Sequence, residues 1–193
     1  PPPPPPTTPP PPPTDTYTLY RSSAASDVYK RQGHATVAGG CVTMLKAFFE
    51  MFEKCDSHEE RKLPFCYVPT SDGTALQADK KFKGTLTIQG ELDKLAANIS
   101  IGRNMAGVHY YSDYFDSLRM GERIAVGILM EQAPTYGEAM EVTFKSFDGD
   151  FITISGEGGS CPSMSILDRT GAAVQTNDWW LRHVSGGEFS EDL

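Results

Sequence analysis

The chain has 193 residues, 39% of them hydrophobic, with 17 basic against 25 acidic side chains and a formal net charge of −8. This length and apolar content suit one ordinary domain, and the acidic balance argues against a nucleic-acid partner. No run approaches the roughly 20 apolar residues of a membrane span, and no signal peptide is recognisable. The four cysteines, Cys41, Cys55, Cys66 and Cys161, lack metal-ligand spacing and read as reduced, buried thiols rather than a disulfide framework.

Residues 1–13 are eleven prolines and two threonines, a composition that gives polyproline II or disorder and contributes no core. Arg21 to Gln32, Arg-Ser-Ser-Ala-Ala-Ser-Asp-Val-Tyr-Lys-Arg-Gln, looks like translated adapter sequence from assembled environmental reads. Residues 1–32 are therefore expected to be an artefactual or linker segment, a genuine proline-rich linker being the alternative. From Gly33 the character changes. Val37, Ala38, Cys41, Val42, Leu45, Phe48, Phe49 and Phe52 recur at i, i+3, i+4, with Thr43, Lys46, Glu50 and Glu53 on the other face, which predicts an amphipathic helix near 35–54. His34 stands at its N-terminus, where free N–H groups and the helix dipole favour an anion. A lone His at a helix start is as readily an ordinary surface residue.

Asp56 to Arg61 reads as a charged, solvated turn with His58 on its surface. Pro64 to Gly90 lacks helical periodicity and predicts a long connection, with a short strand at Thr85–Ile88, of the kind that often borders a site. In the next predicted helix, near 91–106, Leu92, Leu95, Ala96 and Ile99 keep helical spacing, and the stripe through Leu92, Ala96 and Ile99 runs on to Arg103. A guanidinium pointing where apolar side chains point needs a carboxylate or a bound oxyanion. Gly107 then offers a helix stop, Val108 and His109 fall in a turn, and Ser112 or Asp113 can cap the following helix. Asp113, four residues after His109, can hold one imidazole nitrogen and leave the other free. Spacing alone leaves two readings open: an oxyanion site, or an Arg103 paired with a distant Glu and a His109 that fills a corner.

Phe115, Leu118, Ala125, Ile128 and Leu129 carry a third helix near 113–133, stopped by Pro134. Ile124 to Met130 is apolar nearly all round, as in a central bundle helix. Two β-prone runs around Asp148-Gly149 predict a structural hairpin at 142–154. Trp179, Trp180 and His183 read as a packing anchor rather than a halide or substrate cage.

Arg103 to Asp113 resembles the third motif, Ser-Arg-(five residues)-His-(three residues)-Asp, of the vanadium-dependent haloperoxidase and phosphatidic acid phosphatase type 2 superfamily. The longer run from Gly90 to Gln132, with Gly-Glu-Leu-Asp-Lys-Leu-Ala-Ala-Asn-Ile and Gly-Arg-Asn-Met-Ala-Gly-Val-His-Tyr, resembles bacterial-type vanadium haloperoxidases more than the phosphatases. Gly-His-Ala-Thr-Val-Ala-Gly from Gly33 is similar to the second half of the family's Pro-Ser-Gly-His motif, with Arg31 and Gln32 where Pro and Ser would stand. The resemblance implies a mainly α fold: an incomplete helical bundle of the vanadium haloperoxidase and acid phosphatase type with a small β-hairpin near the C-terminus. On this reading residues 33–155 are the haloperoxidase-like domain and 156–193 a C-terminal extension packed on it.

For a haloperoxidase the resemblance implies vanadate as cofactor, with His109 binding vanadium, Arg103 neutralising vanadate oxygens, Gly33 offering its backbone N–H and His34 acting as acid/base. Hydrogen peroxide, halide and a small organic substrate are the implied partners, and a homo-oligomer stays open. For a phosphatase, His109 becomes the nucleophile that forms a phosphohistidine, Asp113 orients it and His34 protonates the leaving alcohol. Two departures stand out. Tyr111 takes a position where such haloperoxidases commonly have Arg, and the family's first motif, Lys with Arg-Pro seven residues on, is absent. The chain is accordingly expected to be the C-terminal part of an enzyme with weak or no vanadate affinity in isolation, or a non-catalytic helical fragment.

Overall fold

The structure is a computed structural model describing residues 32–49, 51–53 and 58–182. The expectations for residues 1–31, Glu50, Cys55, Asp56 and His183 fall outside those residues. Four helices are described: α1 (Gly33–Phe48), α2 (Ile88–Met105), α3 (Tyr111–Gln132) and the short α4 (Thr176–Leu181). A two-stranded hairpin of β1 (Tyr67–Pro69) and β2 (Leu76–Ala78) lies between α1 and α2. An antiparallel sheet of β3 (Met140–Lys145), β4 (Phe151–Gly156) and β5 (Ser163–Leu167), in that order, follows α3. The chain is thus mainly helical with a small β part, as the sequence predicts. Among the described residues no helix is long and apolar enough to cross a membrane.

The sheet is built by period-two alternation. Register pairs Val142 with Ile154, Phe144 with Ile152, and Ile152 with Ile166, so one face collects Phe144, Ile152, Ile154 and Ile166, all buried. Thr143 and Thr153 sit opposite each other with hydroxyls 2.9 Å apart. Gly149 closes the β3–β4 turn at φ +89°, a conformation side chains resist. That buried face packs with Met51, Phe52, Val126, Leu129, Ala133 and Trp179 into one core, which seats the C-terminal tryptophan as an anchor. The third strand and α4 extend the single hairpin that the sequence suggests.

A smaller core of Ala35, Ala38, Val42, Ala96 and Leu118 joins the three long helices. Here α1 and α3 touch backbone to backbone. A Cβ built on Gly39 would lie 2.3 Å from the Leu118 carbonyl oxygen, and one on Gly121 would lie 2.0 Å from that of Thr36. Small residues at this crossing bring the helix axes together.

Several expectations need correction. α1 ends at Phe48 rather than near 54, and Phe48 is 81% exposed. Thr43 and Lys46, expected on the solvated face, are fully buried. The reason is that α1 is covered on its Ala35, Gly39, Val42 and Lys46 side, leaving Val37, Cys41, Leu45 and Phe48 exposed. Together with exposed Ile124 and Ile128 of α3 they line an apolar groove of about 900 Å³, so α3 is not enclosed all round. The expected strand at Thr85–Ile88 is reduced to a single bridge between Lys62 and Thr87, since α2 starts at Ile88 with the Thr87 hydroxyl accepting from the Gly90 N–H. Cys41, Cys66 and Cys161 are free thiols as expected, but Cys41 and Cys161 are exposed and Cys66 is half-buried.

Lys46 is accommodated by a polar cluster. Its ammonium lies 2.7 Å from Asp93 Oδ1, donates to the Lys145 carbonyl at 3.0 Å and stands 4.0 Å over the Phe147 ring. Glu122, also buried, accepts the Phe147 N–H at 2.9 Å. Burial pushes its carboxyl up to about 8, against the opposing pull of Lys46 and the Phe147 N–H.

Candidate functional site

The site forms where α2 stops and α3 begins. Gly107, at φ +69°, ends the helical path, leaving Val108 and His109 in the turn. Tyr110 rather than Ser112 or Asp113 takes the N-cap of α3. Asp113 lies one turn in, buried, and its Oδ2 accepts the Tyr110 N–H at 3.1 Å. The same oxygen lies 3.3 Å from His109 Nδ1, so the carboxylate orients the imidazole and leaves Nε2 for another partner. The spacing argument therefore holds geometrically, with helix start and imidazole sharing one carboxylate.

Arg103 lies in the last turn of α2, half-buried. Its stripe differs from the expected one. Ala96 and Ser100 are buried beside it while Leu95 and Ile99 are exposed, because small side chains fit the helix contact. Arg103 Nε is buried and, among the described residues, makes no hydrogen bond.

Gly33 and His34 open α1, and both are exposed. A Cβ on Gly33 would meet nothing within 4 Å among the described residues. What holds this terminus in place is Gln32, which stands where the resembling motif has Ser. Its backbone N–H donates to Ser117 Oγ at 2.5 Å, one turn beyond Asp113. Its side-chain amide donates to Asn104 Oδ1 at 2.9 Å, next to Arg103. The start of α1 is thereby tied to the end of α2 and the first turns of α3, which brings the elements carrying Gly33, His34, Arg103, His109 and Asp113 to one end of the helices. These ties span 85 and 72 residues, beyond the reach of any local sequence signal.

Beside His109, Tyr111 stacks on Tyr114 at 5.6 Å and meets Phe115 edge-on at 5.0 Å, with Tyr110 and Tyr111 exposed. His58 is exposed and stacks on Phe151 at 3.9 Å, away from this group in the chain and with no part in it. An oriented imidazole, a guanidinium nitrogen without a hydrogen bond among the described residues and a helix N-terminus are groups that can face an oxyanion.

No family model matches the chain. It is 52% identical over 122 residues, 63% of its length, to a vanadium-dependent bromoperoxidase of Corallina pilulifera, and 51% identical over 122 residues to one of Corallina officinalis. A vanadium-dependent bromoperoxidase of Ascophyllum nodosum is 34% identical over 139 residues, 68% of the chain. These stretches cover 19%, 19% and 24% of the respective relatives, so the chain spans about a fifth to a quarter of the length of the curated relatives it matches.

Proposed function

We propose that this chain carries an oxyanion site of a vanadium-dependent haloperoxidase, an enzyme that uses vanadate and hydrogen peroxide to oxidise halide to hypohalous acid and so halogenates small organic substrates. The observation that carries the reading is the Asp113-held His109, six residues after an Arg103 whose buried Nε makes no hydrogen bond among the described residues. The likeness to relatives named bromoperoxidases favours peroxidase over phosphatase chemistry. The bacterial-type subdivision is a finer proposal resting on the Gly90–Gln132 run.

The residues present suit vanadate: an imidazole whose Nδ1 faces Asp113 and whose Nε2 makes no hydrogen bond among the described residues, a cationic Nε likewise without a partner among them, and a glycine at the start of α1. In this reading His109 holds vanadium through Nε2, with Asp113 keeping the proton on Nδ1. Arg103 donates Nε–H to an anionic oxygen, and Gly33 donates its backbone N–H. His34, exposed at the helix start, moves protons to and from peroxide. Bound vanadate supplies Lewis acidity that activates peroxide toward halide.

Vanadate titration of the chain tests the site. Affinity weaker than micromolar is expected, with His109→Ala weakening it at least about tenfold and Asp113→Asn having a smaller effect of the same sign. Micromolar or tighter binding abolished by His109→Ala would overturn the expected weakness of the isolated chain, and unchanged binding in His109→Ala would remove the assigned ligand. Bromination of an activated diketone with peroxide and vanadate, set against hydrolysis of a nitrophenyl phosphate, separates the reactions. Phosphatase turnover without bromination sinks the peroxidase reading in favour of the phosphohistidine one.

A further inference from the structure

Gln32 is fully buried, and all but one of its hydrogen-bonding groups are used. Its N–H and side-chain NH₂ go to Ser117 and Asn104, while its carbonyl accepts from the Thr36 N–H at 3.0 Å and the Thr36 hydroxyl at 3.1 Å. The exception is Oε1, a buried acceptor without a partner among the described residues. Its amide is bonded to Asn104, whose chain neighbour Arg103 holds the unpartnered Nε donor. One orphaned acceptor and one orphaned cationic donor therefore occur at the same end of the helices, joined through Asn104, each forgoing a bond that a ligand would restore.

A ligand that satisfies both must present an anionic oxygen to Arg103 and an O–H to Gln32. A tetrahedral oxyanion that retains a proton near neutral pH, such as monohydrogen phosphate or monohydrogen vanadate, does so. Sulfate has the same shape and the same double charge but only acceptor oxygens, so it would set lone pairs against Oε1. We propose that Gln32 Oε1 and Arg103 Nε form a two-point reader that selects protonated tetrahedral oxyanions over sulfate. This rests on the oxyanion reading of the site. It gives Gln32 a binding role of its own, where the resembling motif has a serine.

The test is titration of the full chain with inorganic phosphate and with sulfate at pH 8 and matched ionic strength, followed by amide and imidazole NMR shifts. At that pH both anions are largely doubly charged, which leaves the proton as the difference. Phosphate is expected to bind at least ~10-fold more tightly than sulfate, the scale set by leaving one buried acceptor unpaired. Gln32→Met is expected to bring the ratio close to one by weakening phosphate alone, whereas Arg103→Lys weakens both anions. Equal wild-type affinities overturn the reader while leaving an oxyanion site standing, and they decide the matter even where Gln32→Met does not fold. Failure of both anions to bind at tens of millimolar overturns the reader and the oxyanion site together.

Discussion

Gly121→Ala is expected to destabilise the chain by about 3 kcal/mol or more, although alanine is the better helix former by about 1 kcal/mol. A methyl there would lie 2.0 Å from the Thr36 carbonyl oxygen and 2.6 Å from the Gly40 nitrogen, both of them backbone atoms that cannot rotate away. Relief requires α1 to move off α3, uncovering Ala35, Ala38 and Leu118. The control is Gly127→Ala, six residues along the same helix, where a Cβ meets nothing within 4 Å. That change is expected to stabilise by about 0.5–1 kcal/mol. Urea denaturation followed by circular dichroism reads both, and equal effects of the two substitutions would rule out the close α1–α3 crossing. Because α1 starts with Gly33 and His34, Gly121→Ala should also weaken anion binding.

The second large effect is set by pH. Glu122 titrates near 4.5 in an unfolded chain and near 8 when buried. Below pH 4.5 it is protonated in both states and exerts no pull on folding. Between 4.5 and about 8 the unfolded chain releases the proton that the folded chain keeps, so stability falls as pH rises through that window. At about 1.4 kcal/mol for each pH unit between those values, the ionised side chain subtracts roughly 4–5 kcal/mol from folding above pH 8. Glu122→Gln keeps the shape and the acceptor for the Phe147 N–H while abolishing the charge. It is expected to match the parent within ~1 kcal/mol near pH 4.5 and to exceed it by ~3 kcal/mol or more at pH 8.5. Parallel pH curves for the two chains would mean that Glu122 is not the group responsible.

What the sequence discloses follows from how local each signal is. Leu118, Ala125 and Leu129 keep the helical period and become buried, and Gly107 and Pro134 mark breaks that the chain uses. His109 and Asp113 are legible because four residues of separation already limit where both side chains can be. Lys46 is misplaced by its charge alone: polarity assigns it to water, yet its i+4 relation to buried Val42 was the better guide. The same error leaves Val37 and Phe48 on the expected core face, since periodicity finds a stripe without saying which of two neighbouring stripes is covered. The bonds joining Gln32 to Asn104 and Ser117 have no periodicity to announce them, and they exist only once three helices have met.

The burial of Lys46 has a practical consequence for amine chemistry. With its side chain 0% exposed and its ammonium engaged by Asp93 and the Lys145 carbonyl, an acylating reagent reaches this amine only after α1 has swung away. Lys62 and Lys94, 57% and 60% exposed, lie open to the same reagent throughout. In one sample the slow acylation of Lys46, divided by the fast acylation of those two, measures how often the helices part. It places a clock for that opening inside the native chain, with no added label.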